Sequence, residues 1–171
     1  MNEVTDFETY LIISNNSILN FDISIKKKNY SEYITNSFLE KTLSDVKDLF
    51  QESYNQYNLM HMLINKYIID GISYSSLKDK INGNEIFLEI KLISISNLIT
   101  SEIENILKRY QIRVNNYLDK SYIKNFYREE KIDISQKAHK LLNGLNRNEV
   151  RIISRTTQKH GFFEKFFQFF S

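Results

Sequence analysis

Few residues in this chain have the types and spacing that chemistry requires. Its four glycines, at positions 71, 83, 144 and 161, are too scattered to build a dinucleotide fingerprint or a phosphate-cradling loop, both of which need clustered glycines so that backbone N–H groups can approach a phosphate. Nucleotide hydrolysis by this chain alone is therefore not expected. His61, His139 and His160 stand far apart, and none has a second histidine at the three- or four-residue spacing of a helical metal site. His61 lies in an apolar stretch, where a hydrogen-bonded core or edge histidine is the plainer reading than a ligand. The carboxylate pairs Glu102 with Glu104 and Glu129 with Glu130 fall on helical, lysine-rich stretches and read as solvated faces. With no cysteine there is neither a thiolate nucleophile nor a zinc knuckle. The expectation is a non-enzymatic protein without a catalytic residue, a metal site or a cofactor.

Two stretches suit binding instead. Lys26, Lys27 and Lys28, followed by Tyr30, read as a loop that could contact phosphates and stack a ring on a base. Lys and Arg total 23 against 21 Asp and Glu, however, and a net charge of +2 supplies no sequence-wide field to hold a polyanion. The stronger signal is at the C-terminal end. At 100° per residue Phe162, Phe163, Phe166, Phe167, Phe169 and Phe170 occupy one arc of roughly 160°, with Glu164, Lys165 and Gln168 opposite. Such a helix can lie in a membrane interface, with Lys165 among the contacts and with Arg147, Arg151, Arg155 and Lys159 adding attraction to anionic lipid. It can equally dock into a partner groove or the protein's own core.

The elements that must carry these residues are legible from periodicity. Residues 9–14 and 18–25 are apolar and β-branched, with turn residues Ser14 to Ser17 between them, and predict a hairpin. Thr35 is placed to cap a helix bearing Phe38, Leu39, Thr42, Leu43, Val46, Leu49 and Phe50 on one face. Residues 57–70 read as a central strand that turns at Asp70-Gly71. Ile86, Leu88, Ile90 and Leu92 alternate with Glu89 and Lys91, which predicts a strand over 85–96. A second helix, capped by Asn97 or Thr100, carries Leu98, Ile99, Ile103, Ile106 and Leu107, and residues 111–118 look extended again. Beyond Asp119 the pattern is helical, with Gly144 as a C-cap candidate. The predicted fold is α+β: a small antiparallel or mixed sheet with two amphipathic helices packed on it, followed by a helical C-terminal region. Residues 1–130 form the α+β domain and residues 131–171 a helical tail.

The segment from Leu59 to Gly71, LMHMLINKYIIDG, resembles a strand of the FtsA family of bacterial actin-like cell-division proteins. That strand runs from hydrophobic-His-hydrophobic-Ile-Pro to Tyr-x-Ile-Asp-Gly; His61, Tyr67 and Ile69-Asp70-Gly71 fit, while Ile64 occupies the proline position. Ile34-Thr35 and the following helix, Gly83 with the strand over 85–96, and the helix to Arg109 follow in the order of the same family's strand-helix-strand-strand insertion domain. Glu85 stands where the family has a basic residue. The resemblance covers residues 9–130 and leaves out the actin-like subdomains that bind ATP. It implies the insertion domain's contacts, between protomers and with later division proteins, and it makes residues 162–170 the analogue of the family's C-terminal membrane helix.

Residues 1–8 contain Glu3, Asp6 and Glu8 and no apolar run, unlike a secretory signal, and no stretch of the length that spans a bilayer is free of charged residues. Cytoplasmic residence, peripheral on the inner face of the cell membrane, is the expectation. The function expected is an adaptor of the division apparatus whose partners are other division or membrane-associated proteins, a second copy of itself, and an anionic membrane surface. The second reading is a structural or nucleic-acid-associated domain with the phenylalanine helix packed internally.

Overall fold

The computed structural model describes residues 8–77, 80–144 and 146–150. In chain order the elements are β1 (Tyr10–Ile13), β2 (Leu19–Lys28), β3 (Tyr33–Thr35), α1 (Asn36–Ser53), β4 (Tyr57–Ile69), β5 (Ile72–Tyr74), β6 (Lys80–Asn82), β7 (Glu85–Ser96), α2 (Asn97–Lys108), β8 (Asn116–Asp119), α3 (Lys120–Phe126), α4 (Ile134–Leu142) and β9 (Glu149–Val150).

The main sheet is antiparallel, in the order β2-β7-β4-β5, and β9 joins the same side of β4 at Met62 and Leu63. Its register follows the alternation of β7: Ile86, Leu88, Ile90 and Leu92 are all buried on one face, together with Met62, Ile64, Tyr67 and Ile69 of β4. Helix α1 covers that face with Leu39, Leu43, Val46 and Phe50. Its start is set by Thr35, whose hydroxyl accepts the Phe38 N–H at 3.3 Å. Asp70 and Gly71 both take positive φ, 47° and 84°, as a two-residue hairpin turn demands, and Ile69 consequently faces Ile72 across it. The Asp70 carboxylate then accepts the backbone N–H groups of Asn84 and Glu85, which hold its pKa below the ordinary carboxylate value and tie this turn to the start of β7.

Gly83 sits where backbone and core meet. A Cβ there would come within 2.3 Å of Ile69 Cγ2 and 3.1 Å of Ile34 Cδ1, and both isoleucines are buried. Gly83→Ala is thus expected to destabilise the protein by about 1–3 kcal/mol through overpacking, read as a lower midpoint in urea with an unchanged slope.

On the other face lies a second, smaller core. Strand β8 pairs in parallel with β1, and Leu118, Ile123 and Tyr127 pack with Ala138 and Leu141 of α4 and with Tyr10 and Ile12. This cluster straddles residue 130. Helix α4 starts at Asp133, whose carboxylate accepts from Ser135 and Gln136, and it ends in front of Gly144, with φ 79°.

The expected fold, one small sheet carrying two helices and leading into a helical C-terminal region, is overturned. The chain is α+β with four helices and nine strands, mostly antiparallel, arranged in three sheets among the described residues. The N-terminal hairpin does not form: β1 pairs with β8, where Tyr10 and Ile12 pack on the smaller core, and β2 pairs with β7, where Phe21, Ile23 and Ile25 pack against the main core. Residues 111–118 are extended only from Asn116; before that the chain turns, with Gln111 at φ 58°. After residue 131 the chain is not helical throughout, since β9 returns to pair with the main sheet.

Helix α2 exists as expected, but it only half-buries Ile99, Ile103 and Leu107 and leaves Leu98 and Ile106 exposed. It is capped by Ser96, one residue before Asn97, and Thr100 is its one buried residue. The lysines 26–28 are the end of β2 rather than a loop. Phe162, Phe163, Lys165, Phe166, Phe167, Phe169 and Phe170, with Arg151, Arg155, Lys159 and His160, lie outside the described residues. No helix among the described residues is long and apolar enough to cross a membrane.

Candidate functional site

His61 is where a catalytic reading would begin. It sits in the middle of β4 on the face opposite α1, and it is 1% exposed. Its Nδ1 lies 2.7 Å from Glu149 Oε1 of β9, and its Nε2 lies 2.9 Å from the backbone N of Asp119 at the end of β8. A backbone N–H can only donate, so Nε2 is the acceptor and the ring proton resides on Nδ1, pointing at the carboxylate. Tyr122 of α3 donates its hydroxyl to the other carboxylate oxygen, Glu149 Oε2, at 2.9 Å, and accepts from Asn146 Nδ2 at 2.6 Å. Burial, with the Glu149 charge adding to it, pushes the Tyr122 phenol far above its ordinary value. The imidazole and phenol rings lie 4.6 Å apart, and the Asp119 side chain is spent capping α3 through Ser121 and Tyr122 N–H.

The arrangement has the parts of a His–Glu dyad without the access one requires. A general base needs a free lone pair within reach of a substrate proton, whereas the Nε2 lone pair here is already engaged and shielded from solvent. What the cluster does is join elements. It connects β4 to β8, α3 and β9, and the Asn148 carbonyl accepting from Ile64 N at 2.8 Å completes the attachment of the returning chain. His61 is thus a satisfied core histidine. Glu149 and Asn146, which are 88 and 85 positions away from it, carry no local signal that could have placed them there.

The remaining charged candidates are also locally accounted for. Lys26 bridges to Glu85 at 2.8 Å, and Lys27 to Asp45 at 2.7 Å, with its ammonium 5.6 Å from the centre of the Phe38 ring. Two of the three lysines are therefore offset by acids on neighbouring elements, although Tyr30 beyond them is almost fully exposed. Glu130 pairs with Lys140, Glu104 accepts the Tyr117 hydroxyl at 2.8 Å, and His139 stands on the exposed side of α4 beside Asn143. No group of three or more metal-ligating side chains occurs among the described residues.

Apolar surface is a different matter. Leu98 is 77% exposed, Ile106 56% and Tyr110 72%, and Ile112 follows them in the turn after α2. Leu98 and Ile106 lie on one i, i+4 row of α2 with the exposed Glu102 between them, and Tyr110 continues that row in the turn beyond the helix. Large apolar residues exposed singly need no explanation, whereas Leu98, Ile106, Tyr110 and Ile112 are exposed within fifteen positions of one another. Of the apolar positions that the spacing of α2 predicts, Ile99, Ile103 and Leu107 are half-buried, beside a Thr100 that is buried and hydrogen-bonded to Asn58 and the Asn97 carbonyl, while Leu98 and Ile106 are left outside.

No protein-family model matches the chain, and no curated protein shows significant similarity to it.

Proposed function

We propose that the chain is a non-enzymatic adaptor of the bacterial cell-division apparatus, related to the insertion domain of FtsA and working at the cytoplasmic face of the membrane. The observation that supports this reading is the set of exposed large apolar side chains, Leu98 and Ile106 on the outside of α2 and Tyr110 just beyond it, set against a His61 cluster that is closed to substrate. Binding area is what the surface offers. Leu98, Ile106 and Tyr110 belong to the docking face for other division or membrane-associated proteins, and Phe162 to Phe170 supply the attachment to an anionic membrane surface. The offset lysines at the end of β2 weigh against the second reading, in which the same strand end holds nucleic acid.

Recruitment to vesicles tests both halves at once. Purified chain is expected to float with vesicles containing anionic phospholipid, and to carry with it the purified cytoplasmic segment of a late-acting division protein from the same cell. Replacing Phe163, Phe166 and Phe170 with Ser is expected to abolish flotation. Leu98→Asp combined with Ile106→Asp is expected to leave flotation intact and abolish recruitment, because both positions are exposed and spare the core. Flotation unchanged by the phenylalanine variant would discard the membrane role. Retention on single-stranded nucleic acid that falls steeply with salt, without flotation, would favour the second reading.

A further inference from the structure

Among the described residues β2 pairs on one side only, with β7, so its other edge presents unpaired backbone N–H and C=O groups along its whole length. Edges of this kind are usually blunted by charge, and lysines do so here, yet they are confined to positions 26–28 at one end of the strand. The other half carries Asp22. Alternation splits the strand into two faces. Asn20, Asp22, Ser24, Lys26 and Lys28 are exposed, while Phe21, Ile23, Ile25 and Lys27 lie on the α1 side and are only half-buried, although the first three pack against the main core.

This pattern complements itself. When two copies of β2 run antiparallel about a twofold axis through Ser24, residue numbers across the seam sum to a constant, so Asp22 faces Lys26, Asn20 faces Lys28 and Ile23 faces Ile25. Partners share parity, so exposed residues meet exposed ones, half-buried meet half-buried, and both α1 helices stay on one side of a continuous sheet. Shifting the axis to Lys27 sets Lys26 against Lys28, and shifting it to Ile23 sets Asp22 against Ser24. An axis at Ile25 keeps an Asp22 to Lys28 pair but shortens the seam to residues 22–28, against 20–28 for the axis at Ser24. We infer that the β2 edge is a homodimer interface, formed by antiparallel pairing of two copies about Ser24, with two symmetry-related Asp22–Lys26 pairs and the Ile23–Ile25 contacts covered on the α1 side. Lys26 reaches its partner from the exposed face, where it already meets Glu85, so Lys26 of each copy lies between two carboxylates. The inference rests on the binding-module reading above and names a second copy as one of that module's partners.

The chain has no cysteine, which makes the register directly testable. In the full-length protein Ser24→Cys is expected to form a disulfide-linked dimer under mild oxidation, because residues on the axis face each other at a Cα separation a disulfide spans, while Asp22→Cys alone, displaced along the strand from its symmetry mate, is expected not to. Sedimentation should show a concentration-dependent dimer whose association falls about tenfold or more in Asp22→Lys, since that substitution turns two attractive cross-strand pairs repulsive. Adding Lys26→Asp to Asp22→Lys is expected to restore it. A chain that stays monomeric at every concentration overturns the inference, and so does a dimer indifferent to Asp22→Lys whose Ser24→Cys form does not crosslink. A monomer that still recruits its partner to vesicles would sink the dimer alone; a β2-paired dimer that recruits nothing would sink the adaptor reading alone.

Discussion

Phe50→Ala is expected to lower the unfolding free energy by about 3–5 kcal/mol, the range for deleting a buried phenylalanine side chain from a packed core. Phe50 is 1% exposed and stands at the end of α1, where it organises three aromatic neighbours. Its ring meets Phe21 of β2 edge-on at 5.4 Å and stacks on Tyr54 at 5.3 Å, and Phe21 in turn approaches Tyr54 at 4.6 Å and Tyr57 at 6.3 Å. These rings connect α1 to both β2 and the start of β4, so the hole cannot close by moving one side chain. The check is equilibrium denaturation: a clear fall in midpoint with an unchanged slope is expected, whereas a loss below about 1 kcal/mol would show that the site collapses freely. Because Phe21 is the inner neighbour of the open β2 edge, the same substitution is also expected to weaken self-association.

Replacing His61 with Ala is expected to cost about 2–4 kcal/mol, the sum of a buried cavity and hydrogen-bonding groups left without their partner. The Asp119 N–H loses its acceptor and Glu149 loses one of its two donors, leaving the Tyr122 hydroxyl alone on that carboxylate. The damage should be local in a recognisable way. Hydrogen exchange at Ile64, whose N–H bonds to the Asn148 carbonyl beside β9, is expected to rise more than exchange at Leu88 in the centre of β7. Equal acceleration at both sites would mean that the cluster has no special part in holding the returning chain. His61→Gln supplies a partial replacement, since its amide can donate toward Glu149 or accept from Asp119 but does not span both as the ring does.

Much of the main sheet was legible in the residues themselves. Ile86, Leu88, Ile90 and Leu92 announce a strand with one buried face because side chains alternate with a period of two, and Thr35 followed by apolar residues at helical spacing announces α1 for the corresponding reason. Asp70-Gly71 was readable as a turn because few other residue pairs adopt two positive φ angles without strain. The candidate site was less accessible. Nothing near His61 reveals that Glu149 and the Asp119 N–H will occupy its two nitrogens, because hydrogen bonds between distant segments leave no local periodicity. The helix spacing of Leu98, Ile99, Ile103, Ile106 and Leu107 announces an amphipathic helix, but which of them are covered is not decided until the neighbouring elements are in place.

The sequence by itself determined β4, β7, α1 and the turn at Asp70-Gly71, since those choices depend on backbone sterics and on periods of two and 3.6 residues that repeat within a few positions. Only the tertiary structure decided that β1 pairs with β8 rather than β2, that α2 leaves Leu98 and Ile106 outside, and that His61 is sealed rather than available. Each of those outcomes depends on contacts between segments far apart along the chain, which leave no trace in local periodicity.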